Sequence, residues 1–325
     1  MEVVPLPLAN PQLRERVGAP ALDFETRESE CLQPRRLAHC FGAPRPIALW
    51  HLCSFDAPTV AVVWTLAFAW VASVRLPLWV PILLALVAWS VYIGDRLLDA
   101  RAGLRSPAHH ELRERHYFHW RHRRILIPVA AAAALAAAGI VLLDMPRGAR
   151  TPNSLLAVAA FAYFSGVHSR HKLPRLVSKE FLVGVIFTAG CALPAALHEW
   201  SRVHPPGAPS SLCWPLWAPF AYFAALAWLN CHSIARWESG KRGPHITAVP
   251  TLGTALALAG LVLAFSCADT HPRSAVLLAT GAASALFLAL LDRLRSRLTP
   301  ITLRAAADLV LLTPVLLLPL ARLLA

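Results

Sequence analysis

Nine apolar blocks, each roughly 15–22 residues long and nearly free of charge, leave this chain few ways to fold. A helix satisfies its own backbone hydrogen bonds inside hydrocarbon, so blocks of this length read as membrane-spanning helices. The blocks run Ala57–Val74, Leu76–Asp95, Ile125–Leu143, Ser154–His168, Phe181–Leu197, Trp214–Ile234, Thr247–Cys267, Ser274–Leu291 and Leu303–Leu324. Strict alternation of apolar and polar residues does not recur, which argues against a β-barrel. The expected fold is therefore all-α: a polytopic bundle over residues 51–325, preceded by a polar, proline-rich cytosolic arm over residues 1–50. Pro314 and Pro319 fall inside the ninth block and predict a kink there. Trp64, Trp79, Trp214, Trp217 and Trp237 lie near block ends, where tryptophan anchors a helix at the interface.

Charge sets the expected orientation. The formal net charge is +13, which by itself could suggest nucleic acid. The basic residues, however, sit in the gaps between apolar blocks, where they meet anionic headgroups. Most of the 31 lysines and arginines fall in the arm and in the gaps after the second, fourth, sixth and eighth blocks. The positive-inside rule then predicts a multi-pass cell-membrane protein with its N-terminus cytoplasmic and its C-terminus outside. The seven cysteines form no C-x-x-C pair, so neither a disulfide framework nor a thiolate zinc site is expected.

Ionisable residues cluster at the ends of blocks on the basic side. Asp95 and Asp99 close the second block four residues apart, on one helical face, with Cβ atoms about 5–6 Å apart. A carboxylate at membrane depth costs about 2.5–3.5 kcal/mol on insertion scales. A divalent cation would relieve that cost and the mutual repulsion, and Mg²⁺ takes one or two carboxylates together with substrate phosphate. Pairing with Arg96 and Arg101 is the plainer alternative. The next gap carries Arg113, Arg115, His116, His119, His122, Arg123 and Arg124. It reads as a headgroup-hugging amphipathic helix, a cationic lid over an anionic substrate, or a partial zinc site. Arg170, Lys172, Arg175 and Lys179 follow the fourth block, and either set topology or hold a diphosphate. Glu180 opens the fifth block as a helix-dipole partner. Asn230, His232, Arg236, Glu238, Lys241 and Arg242 gather around the end of the sixth block. Asp308, inside the ninth, is expected to face the bundle interior with Arg304 as its partner.

This pattern resembles the UbiA superfamily of intramembrane prenyltransferases over residues from about 55 to 325. The family's first acidic motif, N-D-x-x-D-x-x-x-D, ends helix two; Asp95 and Asp99 match its last two aspartates, with Val91 and Tyr92 in place of its Asn and first Asp. The second motif, D-x-x-x-D, ends helix six; Glu238 matches its second acid, Ile234 stands at the first, and Gly240 and Lys241 follow. The family's Tyr-x-x-x-Lys stretch is matched loosely by Tyr163 with Arg170 or Lys172, and Lys179–Pro194 looks like family helix five. The resemblance implies a nine-helix bundle around a cytoplasm-facing cavity. It implies Mg²⁺ on Asp95, Asp99 and Glu238, and a polyprenyl diphosphate held by Arg170, Lys172, Lys241 and Arg242. It further implies transfer of the prenyl group to a lipid-soluble acceptor, or a non-catalytic relative that only binds. The competing expectations are a proton-coupled transporter using Asp95, Asp99, Glu180 and Asp308, and a structural membrane subunit.

Overall fold

Helix accounts for the architecture of the described residues, 45–105, 113–168, 178–203, 214–239 and 248–317, in a computed structural model; no strand occurs among them. The calls at Arg170, Lys172, Lys241 and Arg242, the cytosolic arm up to Pro44, and Pro319 lie outside these residues. Eleven α-helices follow in chain order. They are α1 Arg45–Leu52, α2 Asp56–Val71, α3 Trp79–Arg105, α4 Glu114–Arg121, α5 Arg123–Leu143, α6 Arg147–His168, α7 Lys179–Val203, α8 Trp214–Ser239, α9 Ala248–Cys267, α10 Pro272–Leu294 and α11 Pro300–Val310. Five of them, α3, α5, α7, α9 and α10, contain segments long and apolar enough to cross a membrane. Counting α1 and α2 as one broken span makes six. Large apolar side chains also face outward, among them Leu135, Leu142, Leu143, Leu155, Phe161, Leu258 and Phe265. A water-soluble chain avoids such continuous apolar cover, so these helices fit a multi-pass membrane protein.

The element ends follow from local chemistry. α1 and α2 meet at an 88° elbow. Ser54 in the elbow takes φ 61°, a left-handed conformation that costs a non-glycine residue about 1–2 kcal/mol. Glu180 falls in the first turn of α7, as its charge predicts. α11 begins on Thr299, whose hydroxyl accepts the Thr302 N–H at 3.3 Å, with Pro300 at the first helical position. The expected ninth block does not continue as one α-helix. α11 stops at Val310, four residues before Pro314, and a 3₁₀ turn follows over Thr313–Leu317. Proline at that position has no N–H for the carbonyl four residues back and crowds it.

The core is built on α2, α8 and α10. Trp64 is buried rather than interfacial, stacked on Phe223 with ring centroids 3.8 Å apart, and Phe68 meets Phe220 edge-on at 4.8 Å. The Trp64 indole N–H donates to the Leu311 carbonyl at 2.8 Å. That carbonyl lies at the end of α11, where helix geometry provides no partner. Ser284 and Thr313 join α10 to the 3₁₀ turn through hydroxyls 2.6 Å apart. Small residues let helices close on each other. A Cβ on Gly184 of α7 would fall 2.8 Å from the Trp228 backbone nitrogen, and one on Gly253 of α9 would fall 2.9 Å from the Ala285 carbonyl oxygen. By contrast α5 buries only Ala133 and Ala137 and lies at the periphery.

Candidate functional site

The C-terminal ends of α3, α8 and α10 and the N-terminal ends of α2 and α11 come together with α1 and α4. The ionisable residues concentrate there in two layers.

The outer layer is a cluster of arginines. Glu238, in the last turn of α8, receives Arg113 and Arg115 from the α4 segment and Arg304 from α11, all on Oε1; the Arg115 contact is 2.8 Å. Arg113 also donates to the Glu238 backbone carbonyl at 3.1 Å. Arg304 thus pairs with Glu238 rather than with Asp308, the partner its i−4 spacing predicts. The Trp237 indole N–H donates to Asp292 at 2.7 Å, and Arg295 reaches the same oxygen at 3.2 Å. Glu238, Trp237 and the four arginines border a cavity of about 450 Å³. Arg113, Arg115, Arg295 and Arg304 outnumber Glu114 and Glu238 on its charged side; Ile234, Trp237, Leu298 and Ile301 give it an apolar wall.

α4 packs against the bundle through His116 and His119. His119 is fully buried: its Nδ1–H donates to the Arg115 carbonyl at 2.7 Å, which leaves Nε2 to accept from the Ser54 hydroxyl at 3.1 Å. His116 meets the Arg115 Nε–H at 3.2 Å and lies 4.0 Å from Asp99. Burial, reinforced by the Arg115 and Arg113 charges, pushes His116 down to about 3. Burial and the Arg96 charge bring His119 to about 4, against the opposing pull of the Arg115 carbonyl. Both imidazoles are neutral in the folded protein near pH 7, whereas in the unfolded chain they protonate near 6.5. The sign follows: their contribution to stability is complete above about pH 6.5 and is lost as pH falls toward 4 and then 3. Thermal unfolding in nanodiscs is expected at a lower temperature at pH 4.5 than at pH 7.5, with a smaller difference in His119→Gln. An identical pH dependence in that variant would remove His119 from the account.

The inner layer is a buried ionic network. Arg96, 3% exposed, donates to the His51 carbonyl at 2.9 Å and to Asp56 at 3.0 Å. His51 Nδ1 lies 2.7 Å from Asp56 Oδ2 and 3.6 Å from Asp308 Oδ2. Asn230 donates from Nδ2 to Asp308 at 3.2 Å. Asp308 therefore faces inward as expected, with Asn230 and His51 as its neighbours. His51 and Asp56 carry no sequence motif; a lone aspartate directly ahead of an apolar block was the available signal.

Asp95 is half-buried and Asp99 exposed on α3. His116 lies 4.0 Å from Asp99 and accepts from Arg115, which places Asp99 at the edge of the arginine cluster. Glu238 does not fit the Mg²⁺ role implied for it: three guanidinium groups surround one oxygen, and their charge opposes a metal cation. Tyr163 on α6 approaches the Lys179 carbonyl at 3.5 Å. No family model, curated protein or solved structure matches the chain.

Proposed function

We propose that this protein binds a polyprenyl diphosphate in the arginine-lined cavity, as a UbiA-like prenyltransferase or a non-catalytic relative. The carrying observation is the pairing of four arginines with an apolar wall in about 450 Å³. Guanidinium forks suit phosphate oxygens, and the wall suits the first isoprene units of a chain that then leaves into the bilayer. Charge neutralisation falls to the arginines rather than to Mg²⁺. Glu238 holds Arg113, Arg115 and Arg304 together until a diphosphate competes for them. In transfer, the allylic C–O bond breaks with its electron pair going to the diphosphate, the arginines stabilise that charge, and a lipid-soluble acceptor bonds the prenyl carbon and loses a proton. Arg170, Lys172, Lys241 and Arg242, the diphosphate contacts that the resemblance implies, follow α6 and α8 in sequence.

Farnesyl diphosphate binding to the purified protein in nanodiscs tests this. Wild type is expected to bind in the presence of EDTA, and Glu238→Gln to bind at least as well, because the substitution frees arginines. Binding that requires Mg²⁺ and disappears in Glu238→Gln would restore the acidic-motif metal reading and remove this one.

We further propose nine spans in the cell membrane with the N-terminus cytoplasmic, supported by the gathering of the basic helix ends into one site. In that arrangement α2, α3, α5–α10 and α11 with its 3₁₀ continuation are the spans. A reporter fused after residue 110 or 240 is expected in the cytoplasm, and one at the C-terminus outside. Both ends in one compartment would rule out an odd number of spans.

A further inference from the structure

We propose that His51, Asp56 and Asp308 form a binding site for one divalent first-row metal ion, with zinc the best fit. The three side chains come from α1, α2 and α11, and one donor atom from each lies within 4.8 Å of the others. His51 and Asp56 are each 1% exposed.

Two observations favour a metal over a proton as the occupant. First, His51 Nδ1 sits close to both carboxylates yet has hydrogen-bond geometry to neither among the described residues. An N–H donates along one direction, whereas a metal ion collects lone pairs from several at once. Second, the Asn230 amide oxygen, in a residue 5% exposed, has no hydrogen-bond partner among the described residues, while its amide nitrogen holds Asp308. A buried carbonyl oxygen on the residue that holds Asp308 adds acceptor capacity next to the cluster.

Tetrahedral zinc with bonds near 2.0–2.2 Å sets its ligand atoms about 3.3 Å apart. The His51–Asp308 separation of 3.6 Å is close to that value, whereas the His51–Asp56 separation of 2.7 Å is shorter, so the ion would open that pair. One imidazole nitrogen with two carboxylates suits zinc, manganese or iron better than Mg²⁺, which prefers oxygen throughout. Asn230 holds Asp308 by the oxygen that does not face His51, as the outer partners of metal ligands do. On Asp56 one guanidinium, Arg96, shares the oxygen that faces His51, against three on the single oxygen of Glu238. His51 also borders the arginine-lined cavity, which gives the ion a route in. The site does not rest on diphosphate binding; it needs only α1, α2 and α11 in place.

The test uses untagged full-length protein, stripped with EDTA and reloaded with Zn²⁺ or Co²⁺. Elemental analysis after desalting is expected to find one tightly held ion per chain. Co²⁺ is expected to give the visible d–d bands of a low-coordinate site, displaced by Zn²⁺. His51→Gln and Asp308→Asn are expected to weaken binding at least about 100-fold, beyond the loss typical of an outer-partner change, while His122→Gln retains the ion. If wild type holds no ion and gives no Co²⁺ bands, the site is a protonated ionic network and the proposal falls, whether or not the variants fold. Bands that survive unchanged in folded Asp308→Asn would place the ion on other histidines and overturn it equally.

Discussion

Replacing Arg115 and Arg304 with alanine is expected to abolish measurable farnesyl diphosphate binding. Each guanidinium–phosphate contact is a charge-assisted hydrogen bond contributing about 1.5–3 kcal/mol. Each single change should therefore weaken binding roughly 10- to 150-fold. Both arginines already meet at Glu238, so the double change also tests coupling: residues in one network rarely add. Titration of labelled farnesyl diphosphate into nanodiscs gives the affinities directly. Wild-type affinity in the double variant would take the diphosphate out of this cavity.

The second large effect concerns stability. Arg96→Met is expected to destabilise the fold by about 3–5 kcal/mol, because it removes the guanidinium paired with the buried Asp56 carboxylate and leaves only the His51 imidazole beside it. Arg96→Lys should not rescue it. One ammonium is a point charge, whereas the guanidinium reaches the His51 carbonyl through one nitrogen and Asp56 through the other. The measurement is the unfolding midpoint in nanodiscs together with the monodisperse yield. An unchanged midpoint in Arg96→Met would mean that Arg96 is not what holds the buried Asp56 charge.

Helices were the legible part of the sequence, and their partners were not. Long apolar runs mark α3, α5, α7, α9 and α10 because the period and length of a helix in hydrocarbon are local properties. The elbow before α2 and the early stop of α11 are less visible. The first depends on a serine in an uncommon backbone conformation, the second on a proline acting four residues upstream. Burial of Asp308 was legible because an isolated carboxylate in an apolar run has few other places to go. Its partner was not: helical spacing favoured Arg304, but Arg304 joins a carboxylate 66 positions away. Trp64 was expected at an interface, and its block position could not reveal that Phe223 and Leu311 would enclose it. Arg113 and Arg115 stood out as a cationic segment, yet only the fold shows that the segment turns inward onto Glu238.

The bond from Trp64 to Leu311 has a consequence for the order of synthesis. Its two ends are 247 residues apart. At a translation rate of about 5–20 residues per second, Leu311 is made roughly 12–50 s after Trp64. During that interval the indole N–H of α2 lacks its final acceptor, and His51 and Asp56 wait equally for Asp308. The earliest helices to enter the bilayer are thus completed by the latest. A ribosome stalled before residue 300 would leave α2 with the Trp64 N–H unmatched while Asp56 already holds Arg96, a state suited to recognition by membrane quality control.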